Sequence, residues 1–164
     1  MRPQVVLTFA PDGGYGHPDH IAISQFAGAA IVCAAAANFK LEASARDLAP
    51  HRVDKFYYMA WTQGKWRAYI EAFRDLKFNV DGVDRRAVPW PDWEVTTVIN
   101  TERYWERVWK AVLCHKTQLT IYEKLKQLSE ENHKELWGTQ EFYRVFSSVN
   151  GGRLKETDLF AGLR

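Results

Sequence analysis

Cysteine is nearly absent from this chain of 164 residues: Cys33 and Cys114 stand far apart, and neither belongs to a Cys-x-x-Cys pair. That argues against a zinc ribbon or a dithiol redox motif and leaves two buried thiols inside helical patterns, as suits a reducing compartment. Charge of one sign is equally scarce. The 22 basic and 20 acidic side chains leave a formal +2 with no block of like charge to give it direction, so a nucleic-acid surface is not indicated. No apolar run has the length of a bilayer span. The richest, residues 21–37, is interrupted by Ser24, Gln25 and Gly28 and falls short of the ~20 residues required. It reads as a buried, Ala-rich helix. The stretch after Met1-Arg2-Pro3-Gln4 stops at Asp12, too soon for a signal peptide. These absences describe a cytoplasmic protein. No internal repeat or low-complexity tract is present. The remaining composition, 46% hydrophobic and 14% aromatic, suits one globular domain over residues 1–164 with a real core.

Val5-Val6-Leu7-Thr8-Phe9 has the β-branched, apolar character of a strand and is closed by Pro11-Asp12-Gly13-Gly14. Pro18 suits the first turn of a helix, where its missing N–H costs nothing. That helix is expected to run to about residue 37, and its uniform apolarity predicts cover on most sides. Lys55 to Trp61 reads as a second strand. Trp66, Tyr69, Ile70, Phe73 and Leu76 recur at helical spacing, while Asp81-Gly82 and the stretch from Pro89 to Trp93 read as turns. Residues 95–99 form a short β-like run. Thr101 is expected to cap a helix over about 102–114 that continues, with a break, to about 131. Residues 142–149 read as a last strand or extended arm. Strand, loop, helix, strand, helix predicts an α/β, Rossmann-like fold, with a partial parallel sheet flanked by helices.

The chemistry is concentrated in Asp12-Gly13-Gly14-Tyr15-Gly16-His17-Pro18-Asp19-His20. The segment follows a strand and opens a helix, which places it at the carboxyl end of a sheet, where open α/β folds hold ligands. His17 and His20 lie one turn apart, so both rings can face one crevice. Asp19 can set an imidazole's tautomer from the first turn. A neutral His is a common zinc ligand, and a second His is a plausible acid or electrostatic stabiliser. The bland alternative has His17 capping the helix with Asp19 and His20 solvated. A phosphate cradle is a third option, disfavoured because no Lys or Arg stands nearby in sequence.

Gly-Gly-Tyr-Gly-His-Pro-Asp-His after an apolar strand resembles the second motif of the PIG-L/LmbE-like family. That family includes GlcNAc-phosphatidylinositol de-N-acetylases, mycothiol-pathway deacetylases and antibiotic-tailoring deacetylases. The likeness extends through Phe56-Tyr57-Tyr58, Pro91-Asp92-Trp93, an expected helix bearing His115 and Gln118, and Trp137-Gly138 with Phe142-Tyr143-Arg144. It implies that His20 binds a catalytic Zn2+. His17 would be a protonated stabiliser or general acid, with Asp19 tuning it and Tyr15 polarising the amide carbonyl. The implied reaction is hydrolysis of an acetamido group on an N-acetylglucosamine conjugate. Trp90 and Trp93, on a Pro-bounded loop, are the candidates for a substrate wall. Trp61, Trp66, Trp105 and Trp109 fit packing positions better.

The family's remaining zinc ligands and its base come from a His-Pro-Asp-Asp motif, and this sequence has none. His51-Arg52-Val53-Asp54 has a His-x-x-Asp spacing but precedes the second strand and reads as surface loop. One His does not make a catalytic zinc site, which takes three protein ligands and a water. The chain therefore reads as the C-terminal part of a de-N-acetylase domain, lacking the N-terminal strands and needing a companion half or a homo-oligomer. The alternative is a non-catalytic binding or assembly protein that keeps the crevice without zinc.

Overall fold

The computed structural model describes residues 1–39, 49–74, 77–118, 120, 123–152 and 154–164. Strand β1 (Val5–Thr8) runs through a turn, α1 (Gly13–Gly16), into helix α2 (Pro18–Ala35) and on to β2 (Lys55–Met59). β1 and β2 pair in parallel, with Val5 opposite Lys55 and Thr8 opposite Tyr58. α2 is thus the crossover helix that a parallel pair requires. It has Pro18 at its start and His17 as N-cap.

The rest of the sheet is antiparallel, which corrects the expectation of parallel strands. The order is β1-β2-β6-β5, where β5 is Thr97–Asn100 and β6 is Thr139–Ser147. β6 pairs antiparallel with both β2 and β5. The cause is a helical excursion that returns to the end of β5 it left. Thr101 N–H donates to Gly138 O at 2.8 Å, and Thr101 Oγ1 donates to Trp137 O at 2.7 Å. β6 consequently starts where β5 stops and must run back along it. The result is a mixed sheet flanked by helices, consistent with a Rossmann-like fold.

That use of Thr101 displaces the predicted cap, since its hydroxyl caps nothing. Asn100 Oδ1 accepts the Glu102 N–H at 2.9 Å instead. The helix beyond is also shorter than its pattern: a single 3-10 turn precedes α4 (Trp105–Leu113), and α5 (Glu130–Trp137) is separate, capped by Ser129. α3 (Gln63–Phe73) begins earlier than its apolar spacing indicated, and Leu76 lies outside the described residues. α3, α4 and α5 meet in an apolar cluster around Ala68, Leu125, Leu136 and Trp137, with Tyr69, Trp105 and Trp109 packed against it. Inside it His133 Nδ1 accepts the Trp137 Nε1–H at 3.2 Å.

A hairpin of β3 (Lys77–Val80) and β4 (Val83–Arg86) occupies what read as a bare turn. Asp81 (φ 52°) and Gly82 (φ 77°) both take the left-handed conformation that a two-residue hairpin of matching twist requires. The chain after β6 folds back onto the sheet, where Glu156 bridges to Thr97.

Two expectations of burial fail. Within α2 only Ser24 is buried, whereas Ile23, Phe26 and Val32 are 48%, 67% and 70% exposed. The helix covers one face of the sheet beside β1, and among the described residues nothing packs on its outer side. Among the described residues β1 is itself an edge, with β2 on one side and Leu7 exposed. The thiols are not both buried either: Cys33 is half-buried and Cys114 exposed. No helix among the described residues is long and apolar enough to cross a membrane.

Candidate functional site

The loop between β1 and α2 is held by its own side chains. Asp12 Oδ1 accepts the Gly14 N–H at 2.9 Å, and Gly16 N–H closes on Asp12 O at 3.0 Å. Gly13 is buried at φ 66°, and a Cβ there would sit 2.8 Å from Ile21 Cγ1, so only glycine lets the turn press against the helix.

This scaffold fixes two imidazoles in opposite tautomers. His20 Nδ1 lies 3.1 Å from Gly13 O. A carbonyl can only accept, so this nitrogen carries the proton and Nε2 keeps its lone pair. His17 Nδ1 accepts the Asp19 N–H at 3.1 Å, so the proton of neutral His17 resides on Nε2. The rings lie 4.7 Å apart, inclined by 30°. Phe9 stacks on His20 at 3.8 Å. Tyr15 stands edge-on to both rings, at 5.8 Å from His17 and 5.3 Å from His20.

Tyr15, His17 and His20 are thus brought together, and Asp19 joins them by its backbone. Its contact with His17 runs through the N–H, as helix capping demands, and its side chain is exposed. Trp90 and Trp93 are not brought to the loop. Trp90 packs 5.5 Å from Tyr143, and Trp93 is 80% exposed. His115 and Gln118 are exposed in the turns after α4. His51 is a half-buried loop residue bonded to Pro3 O at 2.8 Å.

Sequence reasoning missed the hairpin wall. Phe78 stacks on Tyr15 at 4.1 Å. Arg85, its cross-strand partner, reaches Gly16: a Cβ added at that glycine would lie 3.3 Å from Arg85 Nη1. A cleft of about 350 Å3 opens between loop and hairpin, lined by Asp12, Tyr15, Gly16, Arg85 and Arg86 among others. The objection that no basic residue stands near the loop is therefore overturned; β4 supplies two from far along the chain. The Asp81-Gly82 pair was the sequence signal that could have revealed the hairpin.

For a metal ion, His20 offers the unprotonated nitrogen that coordination needs. Among the described residues no three His, Cys, Asp or Glu side chains are placed to hold one. These residues alone do not fit a catalytic zinc.

No family model matches the chain. Over 99% of its length it is 32% identical to a 1D-myo-inositol 2-acetamido-2-deoxy-alpha-D-glucopyranoside deacetylase of Kineococcus radiotolerans, covering 47% of that protein. Proteins of the same name from Nocardioides sp. and Thermobispora bispora are also 32% identical over 99% of the chain, which covers 55% and 58% of them. The chain spans about half the length of the curated relatives it matches.

Proposed function

We propose that this chain belongs with those relatives in the PIG-L/LmbE-like family and carries part of the active site of a hydrolase that removes the acetyl group from N-acetylglucosamine conjugates. The observation that carries the reading is the pair of complementary imidazoles. A His17 Nε2–H is a donor for the amide oxygen, where negative charge develops as water adds to the carbonyl carbon. The hydroxyl of Tyr15 adds a second donor. After the C–N bond breaks, the products are acetate and a free sugar amine, whose added proton comes from the attacking water by way of the base, while His17 keeps its Nε2 proton and its hydrogen bond to the acyl oxygen. His20 Nε2 is one ligand for a metal ion. The other ligands and the base for water come from outside the described residues.

The outer face of α2 and the free edge of β1 suit a further α/β segment that adds a parallel strand and buries Phe26 and Val32. The greater length of the relatives supports that occupant. The want of a third metal-binding side chain among the described residues favours a second reading, a binding protein that holds the sugar without cleaving it.

Zinc content by elemental analysis, with amine release from N-acetylglucosaminyl-inositol, tests both on the 164-residue chain. Zinc that is lost in His20→Ala, and amine release that is lost in His17→Ala, support the deacetylase. Sugar bound without zinc or amine release supports the second reading. A chain that binds no sugar, and releases no amine with zinc added, refutes both.

A further inference from the structure

The hairpin that walls the cleft brings an arginine onto the glycine loop. Phe78 and Arg85 are direct partners across β3 and β4, so both side chains leave the same face of the ribbon. That face lies on the glycine loop, where Phe78 is anchored by Tyr15 and Arg85 Nη1 rests over Gly16. Arg85 Nε is shielded from solvent with no hydrogen-bond partner. Among the described residues no carboxylate pairs with its guanidinium. Asp12, the acid in the cleft, already has Oδ1 engaged by the Gly14 N–H. The second arginine of the strand, Arg86, lines the same cleft. A guanidinium with no carboxylate partner and a fixed approach is a receptor for a planar or tetrahedral anion, which its terminal Nη groups grip with parallel N–H bonds. Gly16 matters to this geometry: at φ 79° and with no Cβ, it lets Arg85 close on the loop.

We propose that Arg85 is a specificity-determining residue that selects acetamido sugars bearing an anionic substituent, a phosphate or a carboxylate, over neutral ones. The inference rests on the deacetylase reading for its sugar and on the hairpin for its anion. The acetamido group would lie toward His17 and His20, and the anionic substituent toward β4.

Calorimetric titration of the 164-residue chain with N-acetylglucosamine 1-phosphate, N-acetylglucosamine 1-carboxymethyl glycoside, methyl N-acetylglucosaminide and inorganic phosphate tests it. Both anionic sugars are expected to bind about tenfold tighter than the neutral one, the scale of one charge-assisted bidentate contact. Arg85→Gln should bring the three sugars to one affinity, and Arg85→Lys should keep part of the difference. Unchanged circular dichroism and melting in both variants confirm that they fold. Equal affinities in the unaltered protein, or a preference that survives Arg85→Gln, would overturn the role of Arg85 while leaving the deacetylase reading intact. Phosphate binding that Arg85→Gln abolishes, with no sugar bound, would uphold the anion site and sink that reading. No binding of any probe overturns both.

Discussion

Replacing Glu156 by glutamine should be strongly destabilising, because among the described residues its carboxylate alone faces five donors. Its Oε1 accepts Lys55 Nζ at 2.7 Å and Asn150 Nδ2 at 2.6 Å, and Arg144 Nη1 lies 3.1 Å away. Its Oε2 accepts Tyr57 OH at 2.8 Å and Thr97 Oγ1 at 2.9 Å. Lys55 is wholly buried, and the Glu156 side chain is 5% exposed. Burial works to raise the Glu156 pKa, but the bonds from Lys55, Asn150, Tyr57 and Thr97 outweigh it and hold the carboxyl at about 2. At about 1.4 kcal/mol per tenfold change in proton affinity, the drop from 4.5 to about 2 contributes about 3 kcal/mol. Breaking a buried pair from one side costs about 3–5 kcal/mol, so the two routes agree. Glu156→Gln should therefore lower the melting temperature by roughly 10 °C. The folded pKa lies below the unfolded one, so the stabilisation is complete above about pH 5 and is lost as pH falls toward about 2. Urea midpoints at both pH values check this: the gap between the two proteins should be wide at neutral pH and nearly closed in acid. Adding Lys55→Met to Glu156→Gln should recover part of the loss, since it removes the stranded charge. A neutral-pH difference below about 0.5 kcal/mol, the range of an ordinary surface change, would refute the reasoning.

Gly13→Ala and Gly14→Ala separate strain from collision in the loop. Both positions have positive φ, but only Gly13 has an atom, Ile21 Cγ1, within 3 Å of the added Cβ. Gly14→Ala should cost about 1 kcal/mol and Gly13→Ala about 2–3, read from urea midpoints. Phe26→Glu with Val32→Lys should leave the melting temperature within a degree or two, because both side chains stand in water. Burial pushes the His133 pKa down from 6.5, so the folded state resists protonation there. The stability it contributes is present above 6.5 and lost as pH falls below it. His133→Gln should flatten the slope of stability against pH in that window.

Local elements were legible because their causes are local. The β-branched run at Val5 to Thr8, Pro18 opening α2, and the glycines of the loop each act within a few residues. Tyr15, His17 and His20 could be named together because one turn of backbone sets their spacing. Errors arose where a distant partner intervened. Thr101 is a fine N-cap by type, yet its hydroxyl is taken by Trp137 O. The uniform apolarity of α2 promised cover, but periodicity cannot say whether the covering atoms are present.

The sequence alone determined the strand, the glycine turn and the helix start that present two histidines, since backbone sterics and capping need no other part of the chain. Only the tertiary structure decided the direction of β6, through the return of Gly138 to Thr101. It also brought an arginine to the cleft, by laying a later hairpin, Lys77–Arg86, across the loop so that Arg85 meets Gly16. Contacts between residues so far apart depend on how elements pack, and no local pattern of residue types encodes them.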